Sequence, residues 1–92
     1  MEVVALDIPD VKLVKPRVFD DERGSFVQTF HSKQYADAGI KSNFVQDNRS
    51  VSHKHVVRGM HYQLAHSQAK LVSVPYGRVF DVAVDLRQSS PY

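Results

Sequence analysis

Short runs in which apolar and polar residues alternate recur along most of the chain, which is the pattern of β-strands that bury one face. The clearest run is RVFDVAVDLR, where Phe80, Val82, Val84 and Leu86 share one face. Short turns separate the runs, so the pattern predicts an all-β sandwich or barrel. The runs are KLVKPRVF (12–19), SFVQTF (25–30), FVQDNRSVS (44–52), VVRGMHYQ (56–63), KLVSVP (70–75) and RVFDVAVDLR (78–87).

The first two runs are joined by DDERG, residues 20–24, which has the composition of a tight turn. Its aspartates can bond nearby backbone groups, and Gly24 can take the positive φ that a reversal needs. The sequence therefore predicts a hairpin between the first two runs. Pro16 lacks a backbone N–H, so it confines the first run to a sheet edge or an irregular strand.

One segment has the features of a helix instead of a strand. In SKQYADAG, residues 32–39, Ser32 is suited to the N-cap and Gly39 is a natural stop. The sequence predicts a single helix there, of at most two turns.

Composition limits the class of protein. The 92 residues are enough for one small domain, residues 1–92, which would bury only roughly 60% of its unfolded surface. There is no cysteine, which excludes disulfides and thiolate chemistry and suits a reducing cytoplasm. Basic residues are scattered and the net charge is only +2, so nucleic acid is not an expected partner. Charges throughout the first thirty residues exclude a signal peptide or membrane span. We expect a cytoplasmic protein.

Polar side chains are dense within the otherwise apolar runs. A single histidine in a strand is more often a hydrogen-bonded structural residue than a catalyst. Several amides together with an imidazole, a guanidinium and an ammonium are better explained by a polar binding cavity than by a core. These residues are Gln28, Gln46, Asp47, Asn48, Arg58, His61, Gln63, Lys70, Asp81 and Asp85.

Arg58 and His61 are three positions apart, so a regular strand would point them to opposite faces. Gly59 lies between them, and a glycine within a strand often marks a bulge. A bulge at Gly59 would let both side chains enter one cavity.

A metal site is an alternative, because His53, His55, His61 and His66 lie close together in the sequence. Three imidazoles can hold zinc or iron. No glutamate follows Glu22, however, and a polar HKH stretch is most simply a solvated turn, so we predict no metal.

Beyond these patterns, the chain resembles the dTDP-4-dehydrorhamnose 3,5-epimerase family over nearly its whole length from about residue 12. The combination of RGMHYQ, QAKLV and VFDVAVDLR is the most specific part of the resemblance. The strings that carry it, in this order, are DERGSFVQTF, FVQDNRSVS, VVRGMHYQ, QAKLVSVPYGRVFDVAVDLR and SSPY.

The resemblance implies a cupin-type jelly roll and a cofactor-free isomerase of the dTDP-L-rhamnose pathway. The substrate would be a dTDP-linked 4-keto-6-deoxy sugar, and the protein a homodimer that exchanges strands. His61 matches the family's general base, and Lys70 matches the group that stabilises the enolate. The positions that match substrate contacts are Arg23, Phe26, Gln28, Gln46, Asp47, Asn48 and Arg58.

Three features depart from the family pattern. Gln28 stands where the family usually has a glutamate, and His55 stands where a glycine is common. The family's proton-donating tyrosine and the aspartate that pairs with the base would lie beyond Tyr92. We therefore expect the N-terminal part of a jelly roll with an incomplete catalytic set. A related keto-sugar isomerase, a single-position epimerase and a non-catalytic cupin binding module remain alternatives.

Overall fold

The computed structural model describes residues 1–92 as four short β-strands and one short α-helix. The strands form two separate antiparallel pairs, β1 with β2 and β3 with β4. An all-β fold with one short helix, incomplete as a jelly roll, is therefore confirmed. The elements are β1 (Glu2–Ala5), β2 (Lys12–Lys15), β3 (Val18–Asp21), β4 (Gly24–Val27) and α1 (Ser32–Asp37).

The β1–β2 pair was not predicted, because EVVA is too short to display a period. Its register joins Val3 to Val14 and Val4 to Leu13. The predicted single run 12–19 is instead two strands that pair with different partners. Pro16 lies between them, where a residue without a backbone N–H cannot continue a ladder.

The β3–β4 hairpin confirms the turn predicted at DDERG. Asp21 pairs with Gly24, which leaves Glu22 and Arg23 as a two-residue loop, and Phe19 pairs with Phe26. Gly24 has a φ of +132°, a conformation that L-residues rarely adopt. The backbone N–H of Arg23 donates to Asp21 Oδ1 at 2.8 Å.

The N-cap of α1 lies one residue before the predicted position. His31, not Ser32, is the N-cap, since its Nδ1 accepts from the backbone N–H of Gln34 at 3.2 Å. The C-terminal end forms a Schellman motif, in which the N–H of Ile40 donates to the carbonyl of Tyr35 at 2.8 Å. Gly39 has a φ of +90° there, so the predicted stop is confirmed.

The best-packed part of the chain surrounds α1. Tyr35 is the one buried residue, at 5% exposure. Its ring meets that of Phe30 edge-on with centroids 4.8 Å apart, and Phe30 meets Phe44 at 5.8 Å. The Tyr35 hydroxyl donates to the carbonyl of Thr29 at 2.9 Å. This cluster holds the segment that follows β4 against the helix.

The four strands predicted after residue 43 are absent, which corrects the expectation from alternation. Beyond residue 41 the backbone hydrogen bonds are those of Val56 to His53 and of Ser90 to Arg87. Alternation marks a chain that can bury one face, but a strand also needs a neighbour to which its N–H and C=O groups can bond. No such neighbour lies beside these segments.

The molecule is correspondingly open. Its radius of gyration is 15.5 Å, against about 12 Å for a compact domain of this length. Its accessible surface is 9242 Å², against roughly 5,400 Å² for a compact protein of this mass. The six-residue helix α1 falls well short of a membrane-spanning length, and there is no other helix.

Candidate functional site

The predicted site residues lie in three separate places on the structure. The first group comprises Arg23 and Phe26 of the β3–β4 hairpin and Gln28 just after it. The second group is residues 46–48, which lie outside any helix or strand. The third group comprises Arg58, His61 and Lys70, later in the chain. All nine side chains are exposed. The structure brings the hairpin residues near one another but does not collect all nine around one cavity.

The hairpin carries an open groove of about 330 Å³, in which Arg23 and Phe26 both take part. Phe26 is 70% exposed and offers an uncovered aromatic face. The groove is lined by Phe19, Asp21, Arg23, Gly24, Ser25 and Phe26.

Arg23 lies at the edge of this groove with its side chain 91% exposed, and it is paired with Asp21. The guanidinium donates to Asp21 Oδ2 through Nη2 at 2.7 Å and through Nε at 3.3 Å. These bonds, together with that from the Arg23 backbone N–H, hold the pKa of Asp21 below its ordinary value of 3.8. An anionic ligand would therefore meet an arginine that is already oriented but partly neutralised.

Gln28 lies directly after β4, and its side chain reaches the helix. Its Nε2 donates to Gln34 Oε1 at 2.9 Å. Sequence reasoning did not identify Gln34, because a glutamine in the first turn of a helix is an ordinary helix residue.

Within residues 46–48, two of the predicted site residues bond to each other. Gln46 Nε2 donates to Asn48 Oδ1 at 3.5 Å, the one side-chain hydrogen bond of this segment. Asp47 is exposed to solvent between them. The polar cavity that the sequence predicts for these residues is not formed around them, since no strand lies opposite.

The bulge predicted at Gly59 is also not formed, because the 56–63 segment is not in a sheet. Gly59 does adopt a φ of +105°, so a residue with positive φ separates Arg58 from His61. Arg58 Nε donates to Ser52 Oγ at 2.9 Å, which ties this segment to the 44–52 segment.

His61 and Lys70 are exposed and make no side-chain hydrogen bond to the protein. An unpaired imidazole can accept a proton, and an unpaired ammonium can bind an oxyanion. No three histidine, aspartate or glutamate side chains come close enough together to hold a metal ion.

A second charged cluster, which the sequence did not reveal, joins the two ends of the chain. Arg87 donates to Asp85 Oδ2 at 2.7 Å and to Asp10 Oδ2 at 2.8 Å. Ser90 Oγ also donates to Asp85, whose side chain is only 6% exposed. One feature of the sequence could have predicted the Asp85–Arg87 pair. It is the Asp–X–Arg spacing, which also occurs at Asp21 and Arg23 in the hairpin. The cluster borders a cavity of about 210 Å³ between the β1–β2 loop and residues 83–87.

Comparison with known proteins gives one consistent result. The sequence model of the family described as dTDP-4-dehydrorhamnose 3,5-epimerase matches residues 5–92. A curated protein of that name from Shigella flexneri is 54% identical over 99% of this chain and 51% of its own length. One from Pseudomonas aeruginosa is 50% identical over 99% of this chain and 51% of its own length. For one from Neisseria gonorrhoeae the identity is 50%, over 99% of this chain and 28% of that protein.

The chain thus spans about half the length, or less, of these curated relatives. No solved structure matches it.

Proposed function

The chain belongs to the dTDP-4-dehydrorhamnose 3,5-epimerase family, and from this membership we propose that it supplies the base and most of the substrate contacts of such an epimerase. The observation that carries the proposal is the family match over residues 5–92, which includes every residue predicted for the site. The substrate is a dTDP-linked 4-keto-6-deoxy sugar, inverted at C3 and C5. Residues 1–92 form the N-terminal part of one jelly-roll domain.

His61 is the general base. A ketone at C4 acidifies the hydrogens on C3 and C5, because the carbanion left at either carbon is delocalised onto the C4 oxygen as an enolate. An imidazole is suited to remove these hydrogens, since its ordinary pKa lies near neutral pH. The ketone itself supplies the acidity, so the reaction needs no cofactor.

Lys70 stabilises the enolate. The negative charge that develops on the C4 oxygen needs a positive donor, and in a site closed to water such stabilisation is often the largest catalytic contribution. An exposed ammonium in the isolated chain would acquire this role once the site is covered, because the interaction strengthens as the effective dielectric constant falls.

Arg58 and Arg23 bind the diphosphate, whose oxygens accept the paired N–H groups of a guanidinium. Phe26 contacts the nucleotide end of the substrate, where its uncovered ring can stack. Gln28 and the 46–48 segment supply neutral and acidic hydrogen-bonding groups to the sugar and base.

A homodimer that exchanges strands covers the site. The predicted site residues are exposed in this chain, and catalysis by His61 and Lys70 requires a cavity from which water is excluded. A second protomer that packs against the segments carrying His61 and Lys70 would help to close that cavity.

The proposal is tested by incubating the natural full-length protein with the dTDP-linked keto sugar in deuterated water. We expect solvent deuterium at both C3 and C5 of the product, measured by NMR. Deuterium at only one carbon would identify a single-position epimerase instead. Binding without any deuterium at either carbon would identify a non-catalytic binding module and would overturn the proposal.

A further inference from the structure

Two side-chain amides meet between the β3–β4 hairpin and α1. Gln28 Nε2 donates to Gln34 Oε1 at 2.9 Å. An amide has a donor end and an acceptor end, so committing its nitrogen to one partner leaves its oxygen for another. The Oε1 atom of Gln28 has no protein partner.

Gln34 is itself held by the helix. Its backbone N–H donates to His31 Nδ1 at 3.2 Å, which makes Gln34 the third residue after the cap. A glutamine at this position often folds back onto the backbone N–H of the cap residue. Here its side chain is turned to Gln28 instead.

The position of Gln34 is fixed by the packing of its neighbour in the helix. The next residue, Tyr35, is the buried residue of the chain, and its hydroxyl is bonded to the carbonyl of Thr29. Gln28 and Gln34 each directly precede one of these two bonded residues, so their backbones are held close together.

We propose that Gln34 is a positioning residue, which holds the amide of Gln28 so that its carbonyl oxygen is presented to the substrate. This inference rests on the proposed function, in which Gln28 contacts the nucleotide sugar. The oriented oxygen accepts a hydrogen bond from a hydroxyl or N–H group of that ligand. An amide oxygen does so without adding a negative charge beside the diphosphate.

Both side chains are exposed, so the effect on binding is that of a single neutral hydrogen bond. Loss of the orientation is expected to raise KM by roughly 2- to 10-fold and to leave kcat nearly unchanged.

The test compares three substitutions in the natural full-length protein. Gln34→Glu keeps an acceptor for Gln28 Nε2, Gln34→Met removes it, and Gln34→Lys offers only donors, which would capture the Gln28 oxygen. We expect KM to rise in the order Glu, Met, Lys. If the charge introduced at this position simply attracted or repelled an anionic substrate, the order would be reversed, so the two explanations are separated.

The same substitutions in a Gln28→Ala background provide the control. If Gln34 acts through Gln28, the differences among the three variants disappear there. Differences that persist in that background, or the reverse order of KM, would overturn the inference.

A readout independent of turnover separates this inference from the proposed function. In a ¹H–¹⁵N NMR spectrum, the side-chain NH₂ protons of Gln28 should shift upfield with Gln34→Met, which removes the acceptor, but not with Gln34→Glu, whose carboxylate keeps one. If Gln28→Ala alone leaves KM at the parental value, the substrate role of Gln28 is wrong. If Gln28→Ala raises KM but Gln34→Lys does not, only the positioning role is wrong.

Discussion

At the scale of single residues, an aspartate–arginine pair of the same local geometry occurs twice, and the two aspartates differ in burial. In each copy an arginine donates its backbone N–H and its guanidinium to the aspartate two residues before it: Arg23 to Asp21, and Arg87 to Asp85. Asp21 is half exposed, whereas Asp85 is 6% exposed and also accepts from Ser90. The more enclosed carboxylate has more donors, so its charged form is favoured more strongly.

This difference predicts how Asp85 responds to acid. The bonds from Arg87 and Ser90 hold the pKa of Asp85 well below its ordinary value of 3.8. Because the folded-state pKa is depressed, the stability that the pair contributes is fully present above about pH 3.8. It is lost as the pH falls below that value toward the folded-state pKa. Carboxyl ¹³C shifts should show Asp85 still ionised at pH 3.

Arg87→Gln provides the control, since it removes the main donor and should return the titration of Asp85 toward the ordinary range. Titration of Asp85 near pH 4 in the unaltered chain would contradict the assignment.

Residue-scale predictions from the sequence were right where the partner is local. The expectation that an aspartate of DDERG would bond the turn's backbone holds for Asp21. The partnership of Arg87 with Asp10 was out of reach, because no pattern joins residues 77 positions apart.

At the scale of elements, the turn before the proposed catalytic segment contains a strained residue. The Val56 N–H donates to the His53 carbonyl at 3.3 Å, and His55 has a φ of +70°. A positive φ at the third residue of a four-residue turn, without one at the second, is the pattern of a type II turn, which favours glycine at that third position. His55 therefore adopts a conformation that a glycine would adopt without strain.

We expect His55→Gly to raise the free energy of unfolding by about 0.5 to 1 kcal/mol. Glycine removes the strain of the positive φ, and this gain is larger than the loss caused by the greater conformational entropy of glycine in the unfolded chain. Urea denaturation of the natural full-length protein measures it. His53→Gly is the matched control. It raises the conformational entropy of the unfolded chain in the same way but relieves no positive φ, so it should lower the free energy of unfolding. A decrease with both variants would show that the turn is not strained at His55.

The secondary-structure elements that could be predicted from the sequence are those whose hydrogen bonds join residues close together in the sequence. The β3–β4 hairpin and α1 depend on turn and cap residues within a few positions, and both were found. The strands expected over 44–87 depend on neighbours distant in sequence, so alternation alone could not determine whether they would pair.

At the scale of the whole molecule, the chain leaves much apolar surface uncovered. Phe80 is 94% exposed, and Val82, Val84 and Leu86 of the same run are each more than half exposed. Burying such surface is the main source of folding free energy, so a chain with one buried residue requires another surface to cover it.

We therefore expect the chain to associate in solution as a dimer or larger, which light scattering after size-exclusion chromatography would measure. Phe80→Lys should weaken association more than Val79→Lys, since Phe80 is the larger side chain and is 94% exposed, against 66% for Val79. A stable, cooperatively unfolding monomer would contradict this expectation.

The role of His61 as the base is tested most directly by solvent exchange with a histidine variant. In the natural full-length protein, His61→Asn should slow deuterium incorporation at C3 and C5 by roughly 10²- to 10⁴-fold, the usual contribution of a general base. His66→Asn is the matched control, because His66 has a φ of +54° that asparagine tolerates, and its exchange rate should match the parent. Exchange at the parental rate in His61→Asn would contradict the assignment of His61 as the base.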